Sequence, residues 1–282
     1  LATFSDTMSE SVAARLMKDG VALLAGIDAG IAGIQAAVDI GAAWRRPPSP
    51  PLLTSVGQRQ DGAVKVLDEA ESKELIARYG VPIPSARVVD SAREAVVAAG
   101  ELGYPVAVKA LGFAHKTEGG GIRLGLGSAA AVSAAVLEMS DLCESYLIEK
   151  MVDGVVAELI VGVARDEQFG PYLLVGGGGI LVELMKDSVS LLMPTTREQV
   201  LQALGQLKCA PLFNGFRGAP PADLNGAVEV ILAVASMVEN APSSIVELDI
   251  NPLMLLAEGQ GVVAADALIK IYRKEGRKDL NS

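Results

Sequence analysis

The sequence predicts an α+β protein of two successive lobes, preceded by the end of a separate α/β unit. Three observations carry this. Half of the 282 residues are apolar, yet only 4% are aromatic, so the apolar content is mostly the Ala, Val, Leu and Ile of buried strands. Helix and strand signals alternate briskly up to about residue 152, and from about 154 long strands dominate. Between the first unit and the rest stands "PPSPP" (47–51), a run that stays extended and acts as a semi-rigid spacer.

In residues 1–46, "TMSESVAARLMKD" (7–19) reads as an amphipathic helix and "VALLAG" (21–26) as a short buried strand. "DAGIAGIQAAVDIGAAWRR" (28–46) reads as a second helix with Asp28 at its N-cap. This looks like the end of an α/β unit, followed by a linker over 47–60. The first lobe, 61–152, opens with a helix at 68–80 ended by Gly80. A strand (86–89), a helix (90–103) with a Ser91/Glu94 capping box, and the strand "YPVAVKAL" (104–111) follow. After a glycine loop come a strand (122–127), a helix (128–139) and a strand (146–152) that leaves the unit. The second lobe, 153–282, has strands at 156–166, 172–179, 181–193, 244–256 and 261–271, with helices near 196–207 and 223–240. Internal repeats are absent.

The formal charge of −10 argues against a nucleic-acid surface but leaves room for an anionic nucleotide, because a site sets its own local field. No apolar run reaches the roughly 18 residues of a membrane span, and residues 1–19 carry charges unlike a signal peptide. Cys143 and Cys209 lack metal-ligand spacing and read as reduced thiols of a cytoplasmic protein. The first residue is Leu1 rather than Met, so the chain reads as a processed or truncated piece of something longer.

Chemistry concentrates in a few stretches. Lys109 ends an apolar strand and needs a counter-charge if buried; a phosphate would supply one, and an edge-strand lysine facing solvent is the bland alternative. "HKTEGGG" adds His115, Lys116 and Gly119, Gly120 and Gly121, without the order of a P-loop. It is a phosphate loop of another type or a flexible hairpin. His115, the lone histidine, reads as a core residue, a general base or a nucleophile. Serine-hydrolase and zinc chemistry both lack their partners here. In "VELDINPL" alternation puts Glu247, Asp249 and Asn251 on one face, an oxygen set suited to Mg²⁺, unless that face is merely solvated. Asp266, an acid in an apolar strand, faces Asn251 or Asp249 if the two strands pair. "GGGGILVEL" (176–184) reads as a tight bend or a second approach to ligand. Glu158 reads as a ribose ligand or a solvent-facing acid.

Taken together, "YPVAVKAL", "HKTEGGGIRLGL", "YLIEKMVDGVVAELIVGVARDEQFGP", "GGGGILVELMKDSVSLLMP", "FRGAPPAD" and "VELDINPL" followed by Asp266 resemble the ATP-grasp fold over about residues 61–275. The likeness is specifically to the β-subunit-like portion of NDP-forming acyl-CoA synthetases, relatives of succinyl-CoA synthetase. The resemblance implies that two α+β lobes clasp ATP or ADP. Lys109 and Lys116 would contact phosphates, and Gly119–Gly121 would close over them. Glu149, Lys150 and Met151 would meet adenine, Glu149 and Met151 mainly through backbone, and Glu158 would lie near the ribose. Asn251 and Asp266 would hold Mg²⁺ with Asp249 close by. His115 would carry the phosphoryl group in the conversion of carboxylic acid, CoA and ATP to acyl-CoA, ADP and phosphate. Residues 1–46 resemble the tail of a CoA-ligase-like domain. The CoA-binding portion itself is expected from a longer chain or a partner subunit, in an oligomer. An ATP-grasp ligase of other chemistry and a non-catalytic nucleotide-sensing module are the competing expectations.

Overall fold

The computed structural model describes residues 2–3, 9–21, 23–45, 63–112, 120–178, 187–216, 218–240 and 244–272. The chain divides into two units, 1–50 and 51–282. The expected linker, 47–60, lies outside the described residues.

The first unit holds β1 (Ala2–Thr3), α1 (Glu10–Lys18), β2 (Leu24–Ala25) and α2 (Ile27–Trp44). β1 and β2 pair in parallel, as an α/β crossover requires. α2 is capped by Gly26 at a φ of 87°, a conformation glycine adopts readily, so Asp28 sits in the first turn rather than at the cap. There it still favours the helix N-terminus electrostatically. Ile27, Ile31, Ile34 and Val38 recur at helical spacing on α2 and are exposed.

The second unit is built on two antiparallel sheets. The smaller has the order β4 (Ala86–Val89), β7 (Tyr146–Lys150), β5 (Val106–Ala110), β6 (Ile122–Leu126). Helices α4 (Ala92–Leu102) and α5 (Ala129–Glu138) cover one face, burying Ala95, Ala99, Val132 and Val136 against Val106, Val108 and Ile148. Ser91 accepts from the Glu94 amide at the start of α4, but the Glu94 carboxylate returns to the Asp90 amide. The expected capping box is therefore displaced by one residue. Complete boxes occur instead at Asp68/Glu71, opening α3 (Glu69–Ala77), and at Thr196/Gln199, opening α6 (Arg197–Gln206).

The larger sheet has seven strands. Six run in the order β10 (Ser188–Leu192), β9 (Gly170–Gly177), β8 (Ala157–Asp166), β11 (Ile245–Leu255), β13 (Ala267–Tyr272), β3 (Val64–Val66). The seventh, β12 (Val262–Ala264), also pairs with β11. α6, the short α7 (Ala210–Phe213) and α8 (Leu224–Asn240) complete the unit. Val228, Ile231, Val234 and Val238 of α8 join one core with Leu159, Val161, Leu248 and Ile250 of the sheet. Leu67, Ile76 and Val81 belong to that same core. The stretch 64–81, which sequence order places in the 61–152 lobe, thus packs with the larger sheet, because β3 adds to the edge strand β13.

Two strand expectations change. The single strand 261–271 is broken into β12 and β13 at Ala265–Asp266. Opposite that break, the ladder of β11 with β8 slips between Ile250 and Leu253. Of the expected strand 181–193, residues 181–186 lie outside the described residues.

Candidate functional site

Alternation along β5 and β7 sorts their side chains. Val106, Val108 and Ile148 go to the helix-covered core, so Lys109 and Glu149 project from the opposite face. Ala107 is the register partner of Glu149, two residues from Lys109, which makes Lys109 and Glu149 diagonal neighbours.

Lys109 is only 5% exposed, and all three of its donor directions are used. It donates to Glu69 Oε1 at 2.7 Å, Glu149 Oε1 at 2.9 Å and the Ala265 carbonyl at 2.8 Å. Glu69 and Glu149 also hold Lys73, at 2.8 Å from Glu69 and through Glu149 Oε2. All four ionised side chains are buried, at 5% exposure or less. Burial pulls the Lys109 ammonium toward neutrality, but the charges of Glu69, Glu149 and Asp266 outweigh it and hold its pKa above the usual lysine range. Lys73 goes the other way, lowered first by burial and then by the Lys109 charge.

The Ala265 contact joins this cluster to the break in the larger sheet. There the Asn251 amide donates to the Asp266 carbonyl at 3.3 Å, and the Ala265 amide donates to the Pro252 carbonyl at 3.0 Å. Asp249 lies one turn of alternation before Asn251 and is opposite Gly162 of β8. A Cβ on Gly162 would stand 3.8 Å from Asp249 Oδ1, so the glycine leaves the carboxylate uncovered on that side. Burial raises the Asp249 carboxyl pKa, and the charges of Asp266 and Glu247 raise it further. Asp266 thus acts electrostatically on both Lys109 and Asp249, and its backbone pairs with Asn251. Among the described residues no group of three His, Cys, Asp or Glu side chains is gathered for a metal.

The structure brings together Lys109, Glu149, Asp249, Asn251 and Asp266. It also shows what the side chains and amides of β7 and the residue after it hold within the protein. Glu149 does engage through its carboxylate, with Lys73 and Lys109, as well as through its strand backbone. Lys150 commits its ammonium to the Gly103 and Tyr104 carbonyls, at 2.9 and 2.8 Å, and so is turned to the helix-covered side. The Met151 amide donates to the Pro105 carbonyl at 3.2 Å. Gly120, at a φ of 75°, gives its carbonyl to Arg123 at 2.7 Å, and Gly121 accepts from the Ala110 amide at 2.8 Å. His115, Lys116 and Gly119 lie outside the described residues.

Glu158, half-buried on β8, accepts from the Gly178 amide at 2.7 Å through its backbone carbonyl. The glycines at 176–178 serve the protein's own packing. A Cβ at Gly176 would meet the Asp187 carbonyl at 2.9 Å, at Gly177 Cys209 Sγ at 2.9 Å, and at Gly178 Glu158 Cβ at 2.6 Å. The first two distances leave no room for a side chain, and neither does the third.

Glu69 and Lys73 are missing from the sequence-derived site. With Ser72 and Ile76 they form the buried face of α3, spaced i, i+3, i+4, i+7, but with one apolar residue in four the sequence does not mark that face as buried.

Residues 58–271 match a family described as the ATP-grasp domain. The chain belongs to the ATP-grasp domain family. The ATP-grasp chain is 31% identical over 211 residues to the ADP-forming acetate–CoA ligase II subunit beta of Pyrococcus furiosus, covering 71% of this chain and 89% of that one. It is 35% identical over 224 residues to a trans-feruloyl-CoA synthase from an unknown prokaryotic organism, covering 76% of this chain and 31% of that one. The ATP-grasp region thus spans most of a separate subunit and about a third of a much longer relative. Among solved structures, the acetyl-coenzyme A synthetase 1 of Ca. Korarchaeum cryptofilum is 31% identical, with a TM-score of 0.64 over 74% of this chain and 93% of that chain. That structure holds coenzyme A and Mg-AMPPCP, with its phosphohistidine segment pointing towards the nucleotide binding site. Among the described residues, no helix is long and apolar enough to cross a membrane.

Proposed function

We propose that this ATP-grasp chain is the nucleotide-binding, phosphoryl-transferring part of an ADP-forming acyl-CoA ligase, working with a CoA-binding portion supplied by a longer chain or a partner subunit. The observation that carries the reading is the contact of Lys109 with the Ala265 carbonyl, which brings a buried ammonium under the charge of Asp266, and Asp266 in turn crowds Asp249. The matched ADP-forming acetate–CoA ligase subunit and the matched CoA synthase support the reaction class. The exposed apolar face of α2 supports a further protein portion against the first unit.

Asp249, Asp266 and Asn251 offer hard oxygen donors, and Asp249, raised by burial and then by the charges of Asp266 and Glu247, is a carboxylate that a cation would favour in its ionised form. Two carboxylates and an amide fall short of a complete cage. That suits Mg²⁺, which commonly keeps waters and substrate phosphates in its shell. When bound, the ion would neutralise charge on the phosphate oxygens. Lys109 and Lys116 would orient the polyphosphate, and Gly119–Gly121 would approach it closely enough to exclude water. Glu149, Lys150 and Met151 would border the adenine, Lys150 through backbone alone, and Glu158 would face the ribose. An imidazole nitrogen of His115 would attack the γ-phosphorus; the bond to the bridging oxygen breaks, and ADP leaves with that electron pair. The resulting N-phosphoryl group would then pass to the acyl-transfer portion.

The test is incorporation of label from [γ-³²P]ATP with and without Mg²⁺. Asp266→Asn and Asn251→Ala should each lose the Mg²⁺-dependent labelling while keeping the circular dichroism and melting profile of the parent. Undiminished labelling in both variants would refute the assignment of the cation site.

A further inference from the structure

The buried quartet of Glu69, Lys73, Lys109 and Glu149 is larger than a phosphate-binding lysine needs. A buried ion-pair group rarely adds net stability over an apolar replacement of the same volume, so its presence asks for another reason. Its wiring suggests one. Glu69 Oε1 accepts from Lys109 and pairs with the Lys73 charge, and Glu149 uses Oε1 for Lys109 and Oε2 for Lys73. Lys109 has no donor direction to spare. For Lys109 to meet a phosphate oxygen, Glu69, Glu149 or the Ala265 carbonyl must release its hydrogen bond.

We propose that Lys73 is a positioning residue for Lys109: it balances Glu69 and Glu149, so that Lys109 can turn an N–H toward a nucleotide polyphosphate without leaving uncompensated carboxylates behind. The inference rests on the reading of Lys109 as a phosphate ligand. With Lys73 present the quartet is neutral, two ammoniums against two carboxylates. Remove Lys73 and the same carboxylates share one ammonium, which is then trapped between them. The remaining negative charge also faces the incoming phosphates at low effective dielectric. Asp266 is the further charged group that acts on Lys109, and its charge lies on the side proposed to hold the cation. The location supports the same role. Lys73 sits on α3, which packs with the larger sheet, whereas Lys109 and Glu149 belong to the smaller one. The ion pairs therefore cross from one sheet's layer to the other, where the expected clasp would close.

Charge compensation separates this from a merely structural role. Mg-ATP binding to the full 282-residue chain is measured by calorimetry for the parent, K73R, K73M, E69Q, E69Q/K73M and K109M, with melting temperatures alongside. K73R should bind within about threefold of the parent, and K73M should bind at least tenfold more weakly. E69Q/K73M restores neutrality and should return to within about threefold, while E69Q should bind no more weakly than the parent. A double variant as weak as K73M, or an E69Q weaker than the parent, would overturn the proposal. If K73M does not fold, the ranking of E69Q, E69Q/K73M and the parent decides by the same criteria. K109M keeps the two levels apart. If K109M binds like the parent, the reading of Lys109 itself is wrong. If K109M loses binding and K73M does not, only the role of Lys73 is.

Discussion

Replacing Gly178 by alanine should push the end of β9 away from β8 beside Glu158. The new Cβ would lie 2.6 Å from Glu158 Cβ, 2.7 Å from the Glu158 carbonyl carbon and 2.9 Å from the Leu159 nitrogen. Ordinary carbon contacts are about 3.5–4.0 Å, and two of these three atoms are backbone that cannot rotate away. The two strands must therefore separate locally. Overpacking of this kind costs about 1–3 kcal/mol. The separation also stretches the 2.7 Å hydrogen bond from the Gly178 amide to the Glu158 carbonyl, which is worth about 1 kcal/mol. The sum, about 2–4 kcal/mol, corresponds to a fall of roughly 4–16 °C in melting temperature for a domain of this size. Gly205 in α6 is the control. A Cβ there meets nothing within 4 Å, so Gly205→Ala should stabilise by about 0.5–1 kcal/mol. Thermal unfolding followed by circular dichroism reads both. A Gly178→Ala variant that melts within about 1 °C of the parent would refute the close approach.

Two further outcomes follow from buried polar groups. Asp223 accepts from the Gly226 and Gly261 amides, both at 2.8 Å, and these bonds hold its carboxyl below the ordinary range. Its contribution is complete above the unfolded value near pH 4 and fades as pH falls through the lower folded value. Asp223→Asn should thus lose about 2–3 kcal/mol in urea unfolding at pH 7, with the deficit shrinking below about pH 4; a deficit independent of pH would contradict this. The Cys209 thiol is pushed up to about 12 by burial and by the Asp187 carboxylate beside it. Alkylation of Cys209 at pH 8 should run about a hundredfold slower than that of an ordinary thiol, since scarce thiolate outweighs its greater nucleophilicity. Labelling of Cys209 at an ordinary rate in the folded protein would count against that environment.

Much of this architecture was legible because local chemistry and burial agree. "YPVAVKAL" and "VELDINPL" became β5 and β11, the alternation that put Asp249 off its apolar face holds, and the lysine that needed a counter-charge if buried is buried with two carboxylates. The juxtaposition of Asp266 with Asn251 was also legible, although not its cause. The expected continuous strand is two strands, and the break at Ala265–Asp266 is what presents the Ala265 carbonyl to Lys109. Strand alternation carries no signal for such a break. β3 escaped notice because three exposed residues, Val64–Val66, show no period of their own and gain a place only by pairing with β13. Glu69 and Lys73 were hidden for a related reason. A Glu–Lys pair four apart reads as a solvated helix face until Glu149 and Lys109, far along the chain, supply its partners.

His115, the chain's one histidine, is the proposed acceptor of the phosphoryl group of ATP. Labelling of the full chain with [γ-³²P]ATP and Mg²⁺ tests this directly, through the stability of the label and its dependence on residue 115. The label is expected to be acid-labile and base-stable, present in the parent and lost in His115→Ala. A label of the same amount and stability in His115→Ala would contradict it.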